Sequence, residues 1–272
     1  MAQARIAALN FYPVKSCRGI ALERAKLGLS GIESDRRWMV ISDTGRFLTQ
    51  RELPKLALVV PKFDGSGLIL TAPGLPEMPV PTHAMGARLE VAVWGDKCPA
   101  LEVGGEVGTW LSEFLGRKVR LVRFDPQGVR PSNAKWTGGV ETRNEFSDGF
   151  PLLIISEASL VDLNGRLSEP LPMNRFRPNI VLSGIEPYAE DRIRDLHANG
   201  VRLRITKPCT RCVITTTDQM QGVVKGDEPL RTLKSYRYSK ELRGMMFGQN
   251  TIVVDGAGSE LRVGQTFDID WQ

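Results

Sequence analysis

Apolar and polar residues alternate in many short segments of this chain, and turn-forming residues separate those segments. A period of two is typical of a β-strand with one buried face. The pattern predicts strands at residues 5–12, 37–41, 46–49, 58–60, 68–70, 89–94, 119–124, 151–155, 179–182, 201–205, 213–217 and 251–254.

Turn chemistry joins some of these strands into hairpins. Residues 42–45 (Ser-Asp-Thr-Gly) and 64–67 (Asp-Gly-Ser-Gly) are favourable connections between antiparallel strands. Residues 261–269 have the pattern of a closing hairpin.

Apolar residues recur at helical spacing in fewer segments than they alternate at strand spacing. Ser156 is a suitable N-cap for a helix that continues to Leu167. A second helix is predicted over residues 106–115, where the apolar residues that repeat on one face are Val107, Trp110, Leu111, Phe114 and Leu115.

Many short strands and few helices indicate a β-barrel-like core rather than a parallel sheet covered by helices. The fold class we predict is α+β, predominantly β. Residues 116–150 change in composition, becoming rich in proline, glycine and charge, so we place a domain change there. The predicted domains are residues 1–116 and 117–272.

Composition and charge exclude several classes. With 272 residues, 42% hydrophobic and 25% charged, the chain has the composition of a globular protein. It lacks a signal-peptide core and any apolar run near the ~18 residues of a membrane span. Four cysteines without a regular framework suggest a reducing compartment, so we expect a cytoplasmic protein. The net charge of +5 favours an anionic ligand or acidic partner, but no nucleic-acid-binding motif is present.

The richest chemistry lies in residues 207–217, where Cys209 and Cys212 precede a β-branched run. A thiolate is a soft metal ligand, and the nearby cations Lys207 and Arg211 favour the ionised form. The stretch suggests that one cysteine binds an anionic cofactor that carries a metal.

Three other interpretations stay open on local evidence. A Cys-x-x-Cys pair can be half of a zinc site, which needs two more ligands, while Cys17 and Cys98 stand alone. A redox dithiol normally opens a helix, whereas residues 213–217 are strand-like. Finally, the pair can simply be two small buried residues.

Other segments carry groups suited to an anionic heterocycle. Residues 174–179 hold two arginines and two asparagines, residues 13–19 offer Lys15 and Ser16, and residues 35–38 add Arg36. Arginine binds phosphate oxygens in a bidentate manner, and amides can hydrogen-bond to a heterocycle edge. Alternatively, Arg177 pairs with a carboxylate such as Glu190 or Asp191.

Taken in order, several blocks of sequence resemble the MOSC superfamily, specifically the mitochondrial amidoxime reducing component and bacterial YcbX-like proteins. These blocks are Tyr-Pro-Val-Lys-Ser-Cys (12–17), Asp-Arg-Arg-Trp (35–38), Ile-Ser-Glu-Ala-Ser-Leu (155–160), Asn-Arg-Phe-Arg-Pro-Asn (174–179), Tyr-Ala-Glu-Asp (188–191), Cys-Thr-Arg-Cys (209–212), Leu-Lys-Ser-Tyr-Arg (233–237) and Phe-Gly-Gln-Asn (247–250).

The resemblance implies a β-rich N-terminal MOSC domain, a C-terminal MOSC β-barrel domain and a molybdenum cofactor (Mo-molybdopterin) between them. By motif matching, Cys212 is the molybdenum ligand and the catalytic residue, while Cys209 and Cys17 are neighbours. The residues implied to hold the pterin and its phosphate are Lys15, Ser16, Arg36, Arg177, Asn179, Thr210 and Arg211.

This chain departs from the family pattern at residues 148–151, Asp-Gly-Phe-Pro, where the mitochondrial members have small hydroxyl residues before the proline. Any cofactor contact of Gly149 or Phe150 must therefore use the backbone. The chain also has no cysteine set for an iron–sulfur cluster.

The implied function is reduction of small N-hydroxylated compounds, namely amidoximes, hydroxylamines and N-hydroxylated bases. Electrons would come from a separate ferredoxin- or cytochrome-like donor protein with its reductase, and the basic charge suits an acidic donor. The sequence offers no protein proton donor beyond a weak candidate, His197. The alternatives are a carrier of molybdenum cofactor or sulfur without turnover, and a basic β-barrel interaction module.

Overall fold

A computed structural model describes residues 2–63, 67–81 and 86–272. The strands are β1 (Gln3–Phe11), β2 (Ile20–Leu22), β3 (Arg24–Gly28), β4 (Gly31–Ile32), β5 (Trp38–Ser42), β6 (Val60–Phe63), β7 (Leu68–Thr71), β8 (Met78–Val80), β9 (Arg88–Val93), β10 (Asp96–Glu102), β11 (Val119–Phe124), β12 (Leu152–Ser156), β13 (Ile180–Ser183), β14 (Ile193–Ala198), β15 (Val201–Arg211), β16 (Thr217–Asp218), β17 (Val223–Val224), β18 (Tyr238–Ser239), β19 (Gly244–Asp255), β20 (Glu260–Arg262) and β21 (Thr266–Trp271).

Helices are short and few in the described ranges. They are α1 (Gly105–Leu115), α2 (Ala134–Thr137), α3 (Glu157–Asn164) and α4 (Leu230–Tyr236). None of the helices in these ranges has the length and apolar character required to cross a membrane.

Seven strands form a closed barrel. Their order is β12-β13-β1-β21-β14-β15-β19, and pairing of β12 with β19 closes the ring. The β12–β13 pair is parallel, and the other pairs around the ring are antiparallel. Closure leaves none of these seven strands at a free edge.

The barrel is filled because its strands alternate in burial. In β1, the residues Ala4, Ile6, Leu9 and Phe11 are buried, and the shift in phase between Ile6 and Leu9 coincides with a bulge against β13. A bulge inserts one residue and restores the inward direction of the side chains that follow. The first strand of the chain therefore completes a barrel formed mainly by the second half.

Residues between β1 and the second half build the smaller sheets. One contains β5, β11, β10 and β9, and another contains β6, β7 and β8. Strand β5 is buried at every position because separate apolar clusters, which include Trp38 and Met39 respectively, pack on its two faces. Helix α1 contributes Val107, Trp110 and Leu111 to the first of these clusters.

The predicted fold class is confirmed: the described chain is mostly strands arranged around a barrel, with few helices. The predicted helix at 106–115 is α1, and Ser156 caps α3 by accepting a hydrogen bond from the Ser159 N–H. The domain boundary at 116/117 stays a prediction. Two sheets contain strands from both sides of this boundary, since β11 pairs with β5 and β1 pairs with β13.

Several predicted elements are wrong. Residues 46–49 form isolated bridges rather than a strand, with Phe47 opposite Ile41 and Arg46 opposite Ala92. At 58–60, Leu58 ends a 3₁₀ helix and β6 begins only at Val60, and the helix predicted to continue to Leu167 ends at Asn164.

Residues 213–217 are not one strand, because Val213–Thr216 forms a 3₁₀ helix in which Thr215 and Thr216 hydroxyls bond to the carbonyls of Cys212 and Val213. Such local hydroxyl–carbonyl bonds compete with strand pairing. Residues 261–269 are not a hairpin, because β20 pairs with β3 whereas β21 pairs with β1 and β14.

The predicted hairpin connection at 64–67 lies largely outside the described residues. The strands on either side of it, β6 and β7, do pair in antiparallel register.

A buried carboxyl group joins α3 to the barrel. Glu190 Oε1 accepts hydrogen bonds from the Ser156 N–H at 3.1 Å and the Ser159 hydroxyl at 2.7 Å. Its Oε2 atom is buried without a partner in the described part of the chain. Burial therefore raises the pKa of Glu190.

We predict that Gly248→Ala weakens the closure of the barrel. Gly248 has a φ of +80°, and a Cβ atom there would lie 2.8 Å from the Ile154 carbonyl oxygen. We expect a loss of about 3 kcal/mol in the free energy of unfolding, measured with urea. Gly258→Ala is the matched control, since its φ is +94° but its Cβ would meet nothing within 4 Å. Equal losses in the two variants would contradict the clash.

We also predict that Glu190→Gln flattens the pH dependence of stability. Because the pKa of Glu190 is raised in the folded protein, its contribution is fully present below the ordinary pKa of 4.5 and is lost as pH rises through the raised value. The free energy of unfolding should fall less in the variant than in the parent over that window. Exposed Glu157→Gln makes the same charge change and should keep the parent slope. A parent-like slope in Glu190→Gln would refute the assignment.

Candidate cofactor site

One cavity gathers side chains from both halves of the chain. Every residue predicted to bind the cofactor or its metal lines this cavity, namely Lys15, Ser16, Arg36, Arg177, Asn179, Thr210, Arg211 and Cys212. The roles of these residues remain predictions, but their convergence is a property of the fold.

Cys212 follows β15 and is the N-cap residue of the 3₁₀ helix, and its carbonyl accepts a hydrogen bond from the Thr215 N–H at 3.1 Å. Its Sγ atom accepts a hydrogen bond from Arg51 Nη2 at 3.2 Å. The Arg51 guanidinium lies 4.4 Å from the centroid of the Trp94 ring, which fixes its direction. The thiol is half-buried, and its sulfur lies within hydrogen-bonding distance of a cation.

Cys209 also lines the cavity but has a different environment. Its Sγ accepts a hydrogen bond from Arg211 Nη1 at 3.0 Å, and burial raises the pKa of Cys209. A thiol with a raised pKa is a weaker anionic ligand. Cys17 is fully buried among apolar residues, and burial raises its pKa to about 12.

A tyrosine ring holds two of the cavity's guanidinium groups. The Arg36 and Arg177 guanidinium carbons each lie 4.3 Å from the centroid of the Tyr12 ring. Burial raises the pKa of Tyr12 to about 12 and lowers the pKa of Arg177 to about 10. Burial of the Arg177 cation therefore has an electrostatic cost, which a nearby anionic ligand would offset.

Asn179 acts on the cavity through Arg36. Its Oδ1 accepts hydrogen bonds from Arg36 Nη1 at 2.8 Å and the Leu153 N–H at 3.2 Å. Its Nδ2 donates to the Asn10 carbonyl at 3.3 Å and to Asp35 Oδ2 at 3.1 Å. Because a side-chain amide has about four hydrogen-bonding positions, Asn179 has no free capacity for a ligand.

Three of the predicted residues have left-handed backbone conformations. Their φ angles are 67° at Ser16, 51° at Arg36 and 57° at Arg177. This conformation is uncommon for residues other than glycine and concentrates at binding and active sites. The left-handed backbone conformation therefore occurs at residues that supply a hydroxyl group and two guanidinium groups to the cavity.

Lys15 contributes an ammonium group to the cavity lining. Its Nζ atom donates to the Phe146 carbonyl at 2.7 Å and to Asp148 Oδ1 at 2.6 Å. Burial lowers the pKa of Lys15, and the charge of Asp148 opposes that change. The ammonium group retains a third N–H for a ligand.

Two residues considered for the site do not line the cavity, and a third has a different partner from the one considered. Arg175 turns away to the Thr216 carbonyl, and His197 does not line the cavity. Arg177 does not pair with Glu190 or Asp191; its Nη1 atom donates to the Cys17 carbonyl at 2.6 Å.

The zinc interpretation lacks ligands. In the described chain, the group of three potential metal ligands within 4.8 Å of one another is Asp195, His197 and Asp270, and it includes neither Cys209 nor Cys212.

Sequence reasoning missed other residues of the cavity. Gly149 and Phe150, which the sequence left to backbone contacts, also line it. Arg51 had no recognisable motif, since its partner Cys212 is 161 positions away. Three polar lining residues, Thr49, Arg51 and Ser147, lie in none of the blocks that resemble the family.

The donor set fits an anionic molybdenum cofactor. The lining residues include the basic side chains of Lys15, Arg36, Arg51, Arg177 and Arg211 and the acidic side chain of Asp148. In the described chain the Arg211 Nε atom is buried without a hydrogen-bond partner. Unpaired buried donors are costly, so an acceptor on a bound ligand would satisfy this group. A cysteine sulfur would be a suitable soft ligand for the metal of such a cofactor.

Comparison with known proteins places the chain among relatives. Residues 3–118 match the MOSC N-terminal beta barrel domain, and residues 141–268 match the MOSC domain. Mitochondrial amidoxime-reducing component 1 of Homo sapiens is 36% identical over 257 residues, covering 91% of this chain and 76% of that protein.

Component 2 gives similar matches. The Rattus norvegicus protein is 36% identical over 274 residues, covering 93% of this chain and 79% of that protein. The Homo sapiens protein is 33% identical over 241 residues, covering 85% and 72% respectively. The chain therefore belongs to the family of MOSC proteins that includes the mitochondrial amidoxime-reducing components.

Proposed function

We propose that this protein is a molybdenum-cofactor-dependent reductase of N-hydroxylated compounds. The supporting observation is the half-buried Cys212 thiol in a cavity whose basic residues outnumber its acidic one. The names of the relatives give the reaction class, reduction of amidoximes. The reaction consumes two electrons and two protons, breaks the N–O bond and releases water.

Cys212 Sγ would bind the molybdenum, and Arg51 would keep donating a hydrogen bond to that sulfur. Arg177, Arg211 and Lys15 retain donors for the pterin and its phosphate. When bound, the cofactor supplies the two-electron redox chemistry.

Arg36 and Asn179 would contribute differently from the other predicted contacts. Asn179 is saturated by protein groups, and Arg36 donates to Asp35, Asn179 and the Arg177 carbonyl. Their contribution would be to fix Arg177 and the Tyr12 ring, which places positive charge at the cavity before the ligand arrives.

We predict that Cys212→Ala abolishes molybdenum binding and benzamidoxime reduction, whereas Cys209→Ala largely retains both. The reason is that only the Cys212 sulfur would bond the metal. Molybdenum and pterin are measured in protein purified from a host that makes the cofactor, and turnover is measured with an artificial electron donor.

Cys209→Ala is the matched control because both thiols line the same cavity. Loss of metal in that variant alone would reverse the assignment. Parent protein that contains cofactor and passes it to an apo-enzyme, but never reduces benzamidoxime, would instead identify a carrier.

The separate donor protein is proposed to be acidic, because the chain carries a net charge of +5. We predict that donor-dependent turnover falls as ionic strength rises from about 0.01 M to about 0.5 M, because salt screens attraction between opposite charges. Turnover with a small uncharged reductant serves as the control. Identical rates with the protein donor at all salt concentrations would exclude electrostatic steering.

A further inference from the structure

A buried arginine outside the cavity holds one of the cavity's walls. Only 3% of Arg130 is exposed, and its Nη1 atom donates to the carbonyls of Glu145 at 3.0 Å and Ser147 at 2.6 Å. Its Nη2 atom donates to the Asp148 carbonyl at 3.2 Å. One guanidinium group thus binds three backbone carbonyls within four residues.

Arg130 is itself fixed from two sides. Asp96 Oδ2 accepts hydrogen bonds from Arg130 Nε at 3.0 Å and Nη2 at 2.7 Å. The Arg130 carbonyl accepts the Asn144 N–H at 2.7 Å. The guanidinium is therefore anchored outside the 145–148 segment by Asp96.

Two other side chains bind the remaining carbonyls of residues 145–149. Lys15 Nζ binds the Phe146 carbonyl, and Asn144 Nδ2 donates to the Gly149 carbonyl at 3.2 Å. Every carbonyl from residue 145 to residue 149 thus accepts a hydrogen bond from a side chain.

The direction of the N–H groups follows from peptide geometry. In a trans peptide the C=O and the following N–H point in opposite directions, and the described cis bond, Glu228–Pro229, is remote in sequence. Carbonyls of Ser147 and Asp148 that point to Arg130 therefore turn the N–H groups of Asp148 and Gly149 away from it. Both residues line the cavity, and neither N–H donates to another group of the described chain.

We propose that Arg130 is a positioning residue that aims the Asp148 and Gly149 N–H groups at an anionic oxygen in the cavity. The ligand class is a phosphate-type oxyanion, and its identification with the cofactor's phosphate rests on the proposed function. Successive N–H groups that point to one side form a recognised anion-binding arrangement.

The surroundings of these N–H groups suit an anion. The Asp148 carboxylate is bound by Lys15 Nζ and by Trp94 Nε1 at 3.1 Å, so its negative charge is compensated. A Cβ placed at Gly149 would meet nothing within 4 Å, so there is open space beside it. Backbone N–H groups can bind an anion here although Gly149 and Phe150 have no hydroxyl side chain.

The test is titration of the ¹⁵N-labelled parent, prepared without molybdenum, with inorganic phosphate. We expect saturable shifts of the Asp148 and Gly149 amide resonances. Arg130→Met should weaken phosphate binding at these amides about tenfold, the usual effect of losing hydrogen bonds to a charged group. Retained pterin per protein should fall in the same variant expressed in a cofactor-producing host.

Arg37→Met is the matched control, because Arg37 binds the Glu145 side chain of the same segment without touching the carbonyls of residues 145–149. It should keep parent-like phosphate shifts. If Arg130→Met does not fold, Asp96→Asn, which loosens Arg130 from outside, carries the same prediction. Phosphate shifts that are absent at residues 148 and 149 in the parent, or unchanged in the Arg130 and Asp96 variants, would overturn the proposal.

The phosphate titration requires neither molybdenum nor turnover. Failure of the proposed function would appear as parent protein that takes up no cofactor, with the phosphate shifts intact. If Arg130 does not position these N–H groups, the parent will take up cofactor normally, but phosphate will not shift the Asp148 and Gly149 amide resonances.

Discussion

Positive charge held in place by internal acceptors is the constraint on which this cavity depends. Arg36 and Arg177 lie against the Tyr12 ring, and Asp35, Asn179 and backbone carbonyls accept their N–H groups. Because these contacts are made within the protein, the cations are oriented before a ligand binds. A preorganised site of this kind loses little free energy to reorganisation when its ligand arrives.

The barrel makes that arrangement possible by bringing distant segments together. Strand β1 enters the barrel formed by later strands and delivers the loop that carries Lys15 and Ser16. Strand β15 ends beside the same cavity and presents Cys212. The parallel β12–β13 pair places Asn179 next to Leu153, and the Asn179 amide joins this region to the first half of the chain by donating to Asn10 and Asp35.

Contiguous motifs could be predicted from the sequence, but contacts between remote residues could not. Cys212, Lys15 and Arg177 lie in recognisable blocks, and all three line the cavity. Arg51 and Arg130 lie in no such block. Arg51 donates to the Cys212 sulfur and Arg130 donates to backbone carbonyls, and neither contact leaves a local sequence pattern. The misassigned strand at 213–217 has β-branched side chains, whose hydroxyl–carbonyl bonds favour a 3₁₀ turn in this context.

The central claim is that one sulfur, that of Cys212, joins the metal to the protein. The most direct measurement is an anomalous-difference map recorded at the molybdenum absorption edge on crystals of the cofactor-loaded protein. The account predicts a single strong peak in the cavity at bonding distance from Cys212 Sγ. A peak bonded to Cys209, or one outside the cavity, would contradict it.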